Sequence, residues 1–370
     1  MGVPHCTISY SSKEIQAITA SLLTGLIKAA HSGLIKIDKI IPCNDFRKAG
    51  YLHNAIIEVQ IGNKKIAYDT ADGYQSIHKK EMFDLCLDNL DAYYMISYNP
   101  LFQAGMRNEH KVKSLGLTLT GILCIGNPFL MPSLKRDSAL GFLSKIKRFN
   151  ENLQNGSVKS YLCDNSYDYY RFLFWTRLWE NNKSDSEYHK SYPYLSAAEA
   201  HYYNGLVHEM IDSCNQFRID TVRLMKEQFG PRFVYGIYVN ETAKQLCPDL
   251  LQPCPELDTK PAYKQSLKQN YICINTEGLH HCYGAKVTEY LASGRALISQ
   301  EFHYQLPVPL IRDTNYIGCK TAEEIVSSAC TIADDLGQIK TMEKANYNYF
   351  LNNCLPEHII RQSIENAVIK

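Results

Sequence analysis

The chain has 370 residues, of which 45% are hydrophobic and 21% are charged. This composition excludes a largely disordered protein, and the length is sufficient for two domains that each bury a core. The 39 Lys and Arg residues nearly balance the 38 Asp and Glu residues, so there is no basic excess of the kind that indicates nucleic-acid binding.

The N-terminal residues have neither the basic start nor the apolar run of a signal peptide. The most apolar stretch, residues 116–131, is interrupted by Asn127 and Pro128 and is too short to span a bilayer. We therefore expect a cytoplasmic protein.

The thirteen cysteines form no Cys-x-x-Cys pair, and their number is odd. His280, His281 and Cys282 are adjacent, but no second pair lies at the spacing of a zinc finger. We expect reduced thiols and no metal site.

The first half mixes helix and strand patterns. Ser11 and Glu14 have the spacing of a capping box, and they precede a helical apolar pattern that Gly33 ends. Gly62 and Asn63 form a turn signal between two strand patterns. Strands are predicted over residues 34–41, 55–61, 65–68 and 92–98.

The second half alternates strands and helices, which predicts a parallel sheet covered on both faces. A capping box at Ser196 begins one helix, which Gly230 ends, and the segment from Thr321 to Glu324 caps another. Further helices are predicted over residues 262–268 and 285–292, and strands over residues 171–179, 232–238, 271–275, 296–300 and 316–319.

The polar residues 149–167 predict the connection between two domains. We assign an N-terminal acceptor-binding domain to residues 1–160 and a C-terminal nucleotide-sugar-binding domain to residues 161–345. Residues 346–370 are predicted to be helical and to pack back on the N-terminal domain.

The loop after the strand at residues 271–275 is the strongest candidate for a ligand site. Its glycines allow a ligand to approach the backbone, and the following helix offers free N–H groups to a phosphate. Lys286 adds a positive charge there, although a lysine in the first turn opposes the helix dipole unless an anion is bound. Glu289, one turn later, is able to accept hydrogen bonds from ribose hydroxyls.

The run from Gly284 to Ser299, GAKVTEYLASGRALIS, resembles the donor-site segment of GT-B glycosyltransferases. In that family a glycine loop leads to a helix whose glutamate binds the nucleotide ribose. Residues 315–325 resemble the next strand and helix of bacterial polysaccharide-assembly members. Residues 174–179 are similar to the first strand of their C-terminal domain, whose end often supplies a basic donor contact. The resemblance begins near residue 171 and covers about half of the chain.

The resemblance implies an α/β protein of two doubly wound, Rossmann-like domains facing across a cleft. The donor would contact Arg177, Gly278, His281, Tyr283, Gly284, Lys286 and Glu289. Arg177 is equally compatible with a buried ion pair, and Arg218 and Arg223 are interpreted as surface residues. The helix N-terminus and basic side chains are able to stabilise a leaving diphosphate, so we expect neither a metal nor a cofactor.

Many retaining members of the family carry two glutamates eight positions apart. Here Glu277 and Glu289 are twelve apart, and His281 stands eight positions before Glu289. This departure favours an inverting enzyme, which needs a base to deprotonate the acceptor hydroxyl. Asp69 and Asp72 are the candidate bases, with an Asx turn and a helix cap as the structural alternative. His5 and His110 are further candidates.

The resemblance implies transfer of a hexose or deoxyhexose from a nucleotide sugar to a glycan or lipid-linked glycan. The setting would be polysaccharide or lipopolysaccharide assembly at the inner face of the cell membrane, with peripheral membrane contact and no nucleic acid. Two alternatives remain. A nucleotide-sugar epimerase of the same fold would turn over the donor without an acceptor, and a non-catalytic sugar-binding or scaffold protein would lack the donor site.

Overall fold

The computed structural model describes residues 2–12, 17–71, 73, 79–129, 157–161, 171–180 and 183–369. The chain divides into two compact units. The first contains residues 1–162, 304–309 and 348–370, and the second contains residues 163–303 and 310–347. Each unit has its own sheet, and the expected α/β class with two Rossmann-like units is confirmed. Glu14, Asp72 and most of the predicted connection lie outside the described residues.

The first unit contains a six-stranded mixed sheet in the order β2-β1-β3-β4-β5-β6. Its strands are β1 (His5–Ser11), β2 (Lys36–Cys43), β3 (Ile56–Ile61), β4 (Lys64–Asp69), β5 (Ala92–Met95) and β6 (Val112–Ser114). β3 runs antiparallel to both of its neighbours, whereas the other pairs are parallel. The predicted turn at Gly62 is confirmed, and its φ of 56° is one that glycine adopts readily.

Apolar side chains are buried on both faces of this sheet. Successive strand residues point to opposite sides, so neighbours in one strand belong to different clusters. Tyr94 lies in the cluster of apolar side chains that contains Leu26, whereas Tyr93 lies in the opposite cluster with Phe83. Among the described residues before 162, the α-helices of this unit are α1 (Ala17–His31), α2 (Lys80–Cys86) and the single turn α3 (Pro100–Gln103). The carboxyl ends of β1, β2, β4, β5 and β6 meet at one edge of the sheet.

The last helices complete the core of the first unit. They are α10 (Leu336–Asn353), whose end belongs to this unit, and α11 (Pro356–Ile364). Ile359 and Ile360 are buried in the same cluster as α1. A Cβ on Gly25 of α1 would lie 2.4 Å from the carbonyl oxygen of Pro356, so this approach requires glycine. The Tyr68 and Ser363 hydroxyls are 2.7 Å apart and connect β4 to α11.

The second unit contains a five-stranded sheet in which every pair is parallel. Its strands are β7 (Phe172–Arg177), β8 (Phe233–Tyr238), β9 (Ile272–Asn275), β10 (Ala296–Gln300) and β11 (Ile317–Cys319). Their order is β11-β10-β9-β7-β8. This is a doubly wound topology, and the direction of winding changes between β7 and β9.

The helices that accompany these strands are α4 (Asp185–Ser191), α5 (Ala197–Phe229), α6 (Glu241–Leu246), α7 (Lys260–Gln269), α8 (Lys286–Ala292) and α9 (Ala322–Ala333). Four of them, α5, α7, α8 and α9, lie where the sequence predicted them, whereas α4 and α6 were not predicted. The predicted capping box of Ser196 and Glu199 is confirmed, and Gly230 ends α5. Thr321 also caps its helix, but the Glu324 carboxylate accepts a hydrogen bond from the backbone N–H of Lys320 instead of that of Thr321.

Among the described residues, no helix combines the length and the apolar character that crossing a membrane requires.

Candidate functional site

The predicted donor residues lie at the carboxyl edge of the second sheet, where the winding changes direction. Arg177 is the last residue of β7, and residues 276–285 follow the adjacent strand β9. In doubly wound sheets this edge is where ligands bind. The topology therefore brings the end of β7 and the glycine loop to one place, although they are about a hundred residues apart in the sequence.

Arg218 of α5 connects the ends of these two strands. Its guanidinium donates hydrogen bonds to the backbone oxygens of Arg177 and Glu277, each at 2.5 Å, and to the Thr276 hydroxyl at 3.1 Å. The residue is only 5% exposed. The prediction that Arg218 is a surface residue is therefore wrong. The face of α5 that carries Arg218 packs against the ends of the strands. There the guanidinium donates to backbone oxygens that would otherwise be buried without partners.

The loop after β9 is closed by a close contact between Gly278 and Cys282. The Gly278 N–H donates to the Cys282 oxygen at 3.0 Å. A Cβ at Gly278 would lie 2.3 Å from the Cys282 Sγ, so the thiol occupies the space that any other residue would need. Gly278 thus acts through packing, since its φ of −84° is accessible to all residues.

Two adjacent histidines in this loop adopt backbone conformations that glycine normally adopts. The φ of His280 is 56° and that of His281 is 58°. Such values are uncommon for non-glycine residues and cost free energy, which is often the case at functional sites. Gly284, two residues before α8, has a φ of 49° and leads the chain into that helix.

Tyr283 was predicted to contact the donor, but its side chain packs inside the unit. It is 5% exposed, and its ring centre lies 4.6 Å from that of Phe302. Burial raises the pKa of its hydroxyl. The Tyr283 side chain therefore stabilises the loop by packing against Phe302 inside the unit.

Lys286 and Glu289 lie on α8 beside two aromatic side chains. The Lys286 Nζ is 4.0 Å from the centre of the Trp175 ring, a cation–π contact. The Glu289 carboxylate accepts a hydrogen bond of 3.0 Å from the Tyr263 hydroxyl, which fixes its orientation. Burial lowers the pKa of Lys286 to about 7, an effect that Glu289 opposes and Arg218 reinforces.

Arg177 is exposed at the end of β7, which excludes the alternative of a buried ion pair. Its guanidinium carbon lies 5.3 Å from the centre of the Tyr238 ring and 5.7 Å from that of Trp179. The side chain is thus positioned by aromatic contacts and presents its charge to solvent at the carboxyl edge.

His281 was predicted as a donor contact, and the structure places it in a cluster with Glu277 and His303. The His281 Nδ1 is 2.8 Å from Glu277 Oε2, and the His303 Nε2 is 2.7 Å from Glu277 Oε1. The hydrogen bond to Glu277 raises the pKa of His281. Sequence reasoning missed His303, which follows the neighbouring strand β10.

Asp69 was predicted as a catalytic base, yet its carboxylate is buried and has three hydrogen-bond donors. It accepts from the Tyr93 hydroxyl at 2.7 Å and from the Ala71 N–H at 2.8 Å, and His53 Nε2 lies 3.2 Å away. His53 Nδ1 accepts from the Ala55 N–H, which assigns the proton to Nε2. The bond to Ala71 is the Asx turn of the structural alternative.

His5 and His110 are less suitable as bases than the sequence suggested. His5 is the first residue of β1, so it lies at the amino edge of the sheet, where it pairs with Asp38 at 2.8 Å. His110 is exposed in a short helical turn immediately before β6. Neither residue is at the carboxyl edge of its sheet.

A cavity of about 270 Å³ lies in the first unit beside β5 and β6. It is lined by aliphatic and aromatic side chains, by amide and hydroxyl groups and by one ammonium group. Among the lining residues are Tyr94, Tyr98, Lys113, Ser114, Gln362 and Asn366. The Lys113 Nζ is 5.7 Å from the centre of the Tyr94 ring. The mixture of ring faces and hydrogen-bonding groups is suited to a polar ligand such as a sugar.

No protein-family model matches the sequence, and no curated protein does. Solved structures that the chain is similar to include the C-terminal domain of a group 1 glycosyl transferase from Francisella tularensis. It is 11% identical with a TM-score of 0.32, and the alignment covers 52% of this chain and 94% of that one. A glycosyltransferase from Rickettsia africae is 11% identical with a TM-score of 0.39, over 78% of this chain and 65% of that one.

The UDP-GlcNAc 2-epimerase of Neisseria meningitidis, solved with UDP-GlcNAc bound, is 11% identical with a TM-score of 0.41. That alignment covers 99% of this chain and all of the epimerase. Glycosyltransferases, which the sequence resembles, and epimerases, which were the alternative, are therefore both among the structures that this chain is similar to.

Proposed function

We propose that the chain is a glycosyltransferase that takes its sugar from a nucleotide donor bound at the carboxyl edge of the second sheet. The observation that carries this proposal is the grouping of Lys286, Glu289 and Arg177 at the point where the winding changes. A diphosphate there meets two positive charges, and a ribose meets a carboxylate whose orientation is fixed.

The acceptor belongs in the first unit under this proposal. The cavity beside β5 and β6 offers the partly exposed ring of Tyr98 for a sugar face and the groups of Lys113 and Gln362 for its hydroxyls. Asp72 remains the candidate base, since the carboxylate oxygens of Asp69 already accept hydrogen bonds from three donors. A glycan or lipid-linked glycan on the cytoplasmic side of the membrane is the proposed acceptor, and no metal is required for the leaving diphosphate.

The first test is a thermal-shift screen against nucleoside diphosphates and their sugars. A ligand at a hundred times its dissociation constant stabilises the folded state by about 2.7 kcal/mol. Glu289→Ala should lose most of the shift. Glu227→Ala, which changes an exposed carboxylate on α5, should retain it.

The selected nucleotide sugar is then incubated with and without glycan acceptors. Product that forms only with an acceptor supports transfer. Conversion of the donor sugar without any acceptor would identify an epimerase instead. No shift with any nucleotide in folded protein would overturn the donor site and favour a binding or scaffold protein.

A further inference from the structure

Beside the proposed donor site, the side chains of Glu277, His281 and His303 form a group whose ligand atoms lie within 4.8 Å of one another. Both carboxylate oxygens of Glu277 are used, one for each imidazole, at 2.8 Å from His281 Nδ1 and 2.7 Å from His303 Nε2. The two rings lie close together, with centres 4.5 Å apart. Three potential metal ligands therefore converge on a small volume.

We propose that Glu277, His281 and His303 bind a divalent transition-metal ion of the Zn²⁺ class. Two imidazoles and one carboxylate form a ligand set used by zinc enzymes, and three protein ligands leave at least one position of a tetrahedral ion open. The ion would lie between side chains that now contact one another directly. This inference goes beyond the proposed glycosyltransferase activity, and it does not require that activity.

The backbone around the group is held in place before any ion binds. The Glu277 N–H donates to the Gln300 side chain at 3.0 Å, and its carbonyl oxygen accepts from Arg218 and from the Cys214 thiol. The carboxylate is the least exposed member of the group, with a side chain that is 13% exposed, whereas both histidine side chains are about half exposed. An ion could reach the group from solvent on the histidine side.

The conformation of the loop provides a second, independent observation. His281 adopts a φ of 58°, a value that costs free energy for a side chain with a Cβ. This conformation accompanies the return of its imidazole to Glu277, four residues earlier. Binding a metal ion would require the imidazole of His281 to be held in this position, which would account for the free-energy cost of its backbone conformation.

The experiment is a titration of the full-length, EDTA-treated protein with Zn²⁺ by calorimetry and with Co²⁺ by visible absorption. We expect one ion per chain and the d–d bands of a four- or five-coordinate Co²⁺ site. His281→Ala and His303→Ala should each weaken binding by roughly 100-fold or more, because loss of an outer-shell partner alone typically costs 10–100-fold. Glu277→Gln should weaken it in the same direction.

His201→Ala is the matched control. His201 is an exposed histidine whose Nδ1 lies 2.7 Å from Asp185, and it does not belong to the group of Glu277, His281 and His303. Its loss should leave Zn²⁺ binding unchanged. Thermal unfolding in EDTA checks that each variant folds, which is expected because both cluster histidines lie at the surface.

Several results would overturn the proposal. One is the absence of stoichiometric binding to the wild-type protein. Another is binding that neither histidine substitution weakens, or binding with thiolate charge-transfer bands, which would assign the ion to cysteines. Nucleotide binding is measured separately in EDTA, so a failure of the metal site is distinguishable from a failure of the donor site.

Discussion

The ammonium group of Lys286 lies 4.0 Å from the centre of the Trp175 indole ring, and the residue is partly buried. Burial lowers the pKa of this lysine to about 7, so its charge is lost within the ordinary working range of pH. Below that pKa the side chain is a cation available to a diphosphate. Above it the side chain is a neutral amine that contributes little to anion binding.

We therefore expect nucleotide affinity to decrease as the pH rises from about 6.5 to 8.5. Lys286→Arg should remove most of this dependence, because a guanidinium stays charged throughout. Lys286→Met should bind weakly at every pH. The measurement is isothermal titration with the selected nucleoside diphosphate in each buffer. An unchanged affinity across the range would remove Lys286 from the phosphate contacts.

Arg218 should be important for stability because it satisfies three acceptors at the ends of β7 and β9. Arg218→Met keeps much of the volume and leaves buried oxygens without donors. We expect the free energy of unfolding to fall by about 3 kcal/mol. Arg223→Met on the same helix removes an exposed pair with Asp249 and should cost less than about 1 kcal/mol. Urea unfolding compares the two, and equal losses would contradict the assigned role of Arg218.

A side chain at position 278 should be tolerated only when Cys282 is replaced by a residue that lacks the sulfur atom. Gly278→Ala places a Cβ against the thiol and should destabilise the protein by about 1–3 kcal/mol. Cys282→Ala in the same chain should restore part of that loss, since the Cys282 Cβ lies 3.9 Å from the point that the new methyl group would occupy. Chemical unfolding of both single variants and the double variant measures the coupling. Additive losses would argue against this contact.

Asp69→Asn should act on stability and not on the chemical step. An amide cannot accept from all three donors, and its NH₂ group would face the Tyr93 hydroxyl or the His53 ring. We expect a loss of about 1–3 kcal/mol in unfolding free energy. Once a transfer assay exists, the folded variant should keep most of its kcat. A fall of about 100-fold or more in kcat, with stability unchanged, would restore Asp69 as the base.

The sequence predicted the second unit better than the first, and the strand patterns explain why. In the parallel sheet, short apolar runs such as the one in β9 are separated by helices, most of which begin at a side-chain cap that the sequence shows. β1 and β6 were not predicted. β6 has only three residues, and the polar Ser11–Ser12 pair at the end of β1 was interpreted as a helix start.

The candidate site was predicted in part, and the missing part concerns contacts between loops. Lys286, Glu289 and the glycines lie on one continuous segment, so their proximity is visible in the sequence. His303 reaches Glu277 only because β9 and β10 are parallel neighbours whose ends meet at one edge. Arg218 was misinterpreted because a charged residue on a long polar helix gives no local sign of the strand ends it contacts.

The packing of α11 against α1 has a consequence for the order in which the protein can be made. Ile359 and Ile360 complete the core of the first unit, yet a ribosome adds them only after the entire second unit. During synthesis, the unit that emerges first exposes the apolar face of α1 until the final helix arrives. The second unit, which lies between these segments in the chain, is therefore the first that can finish folding.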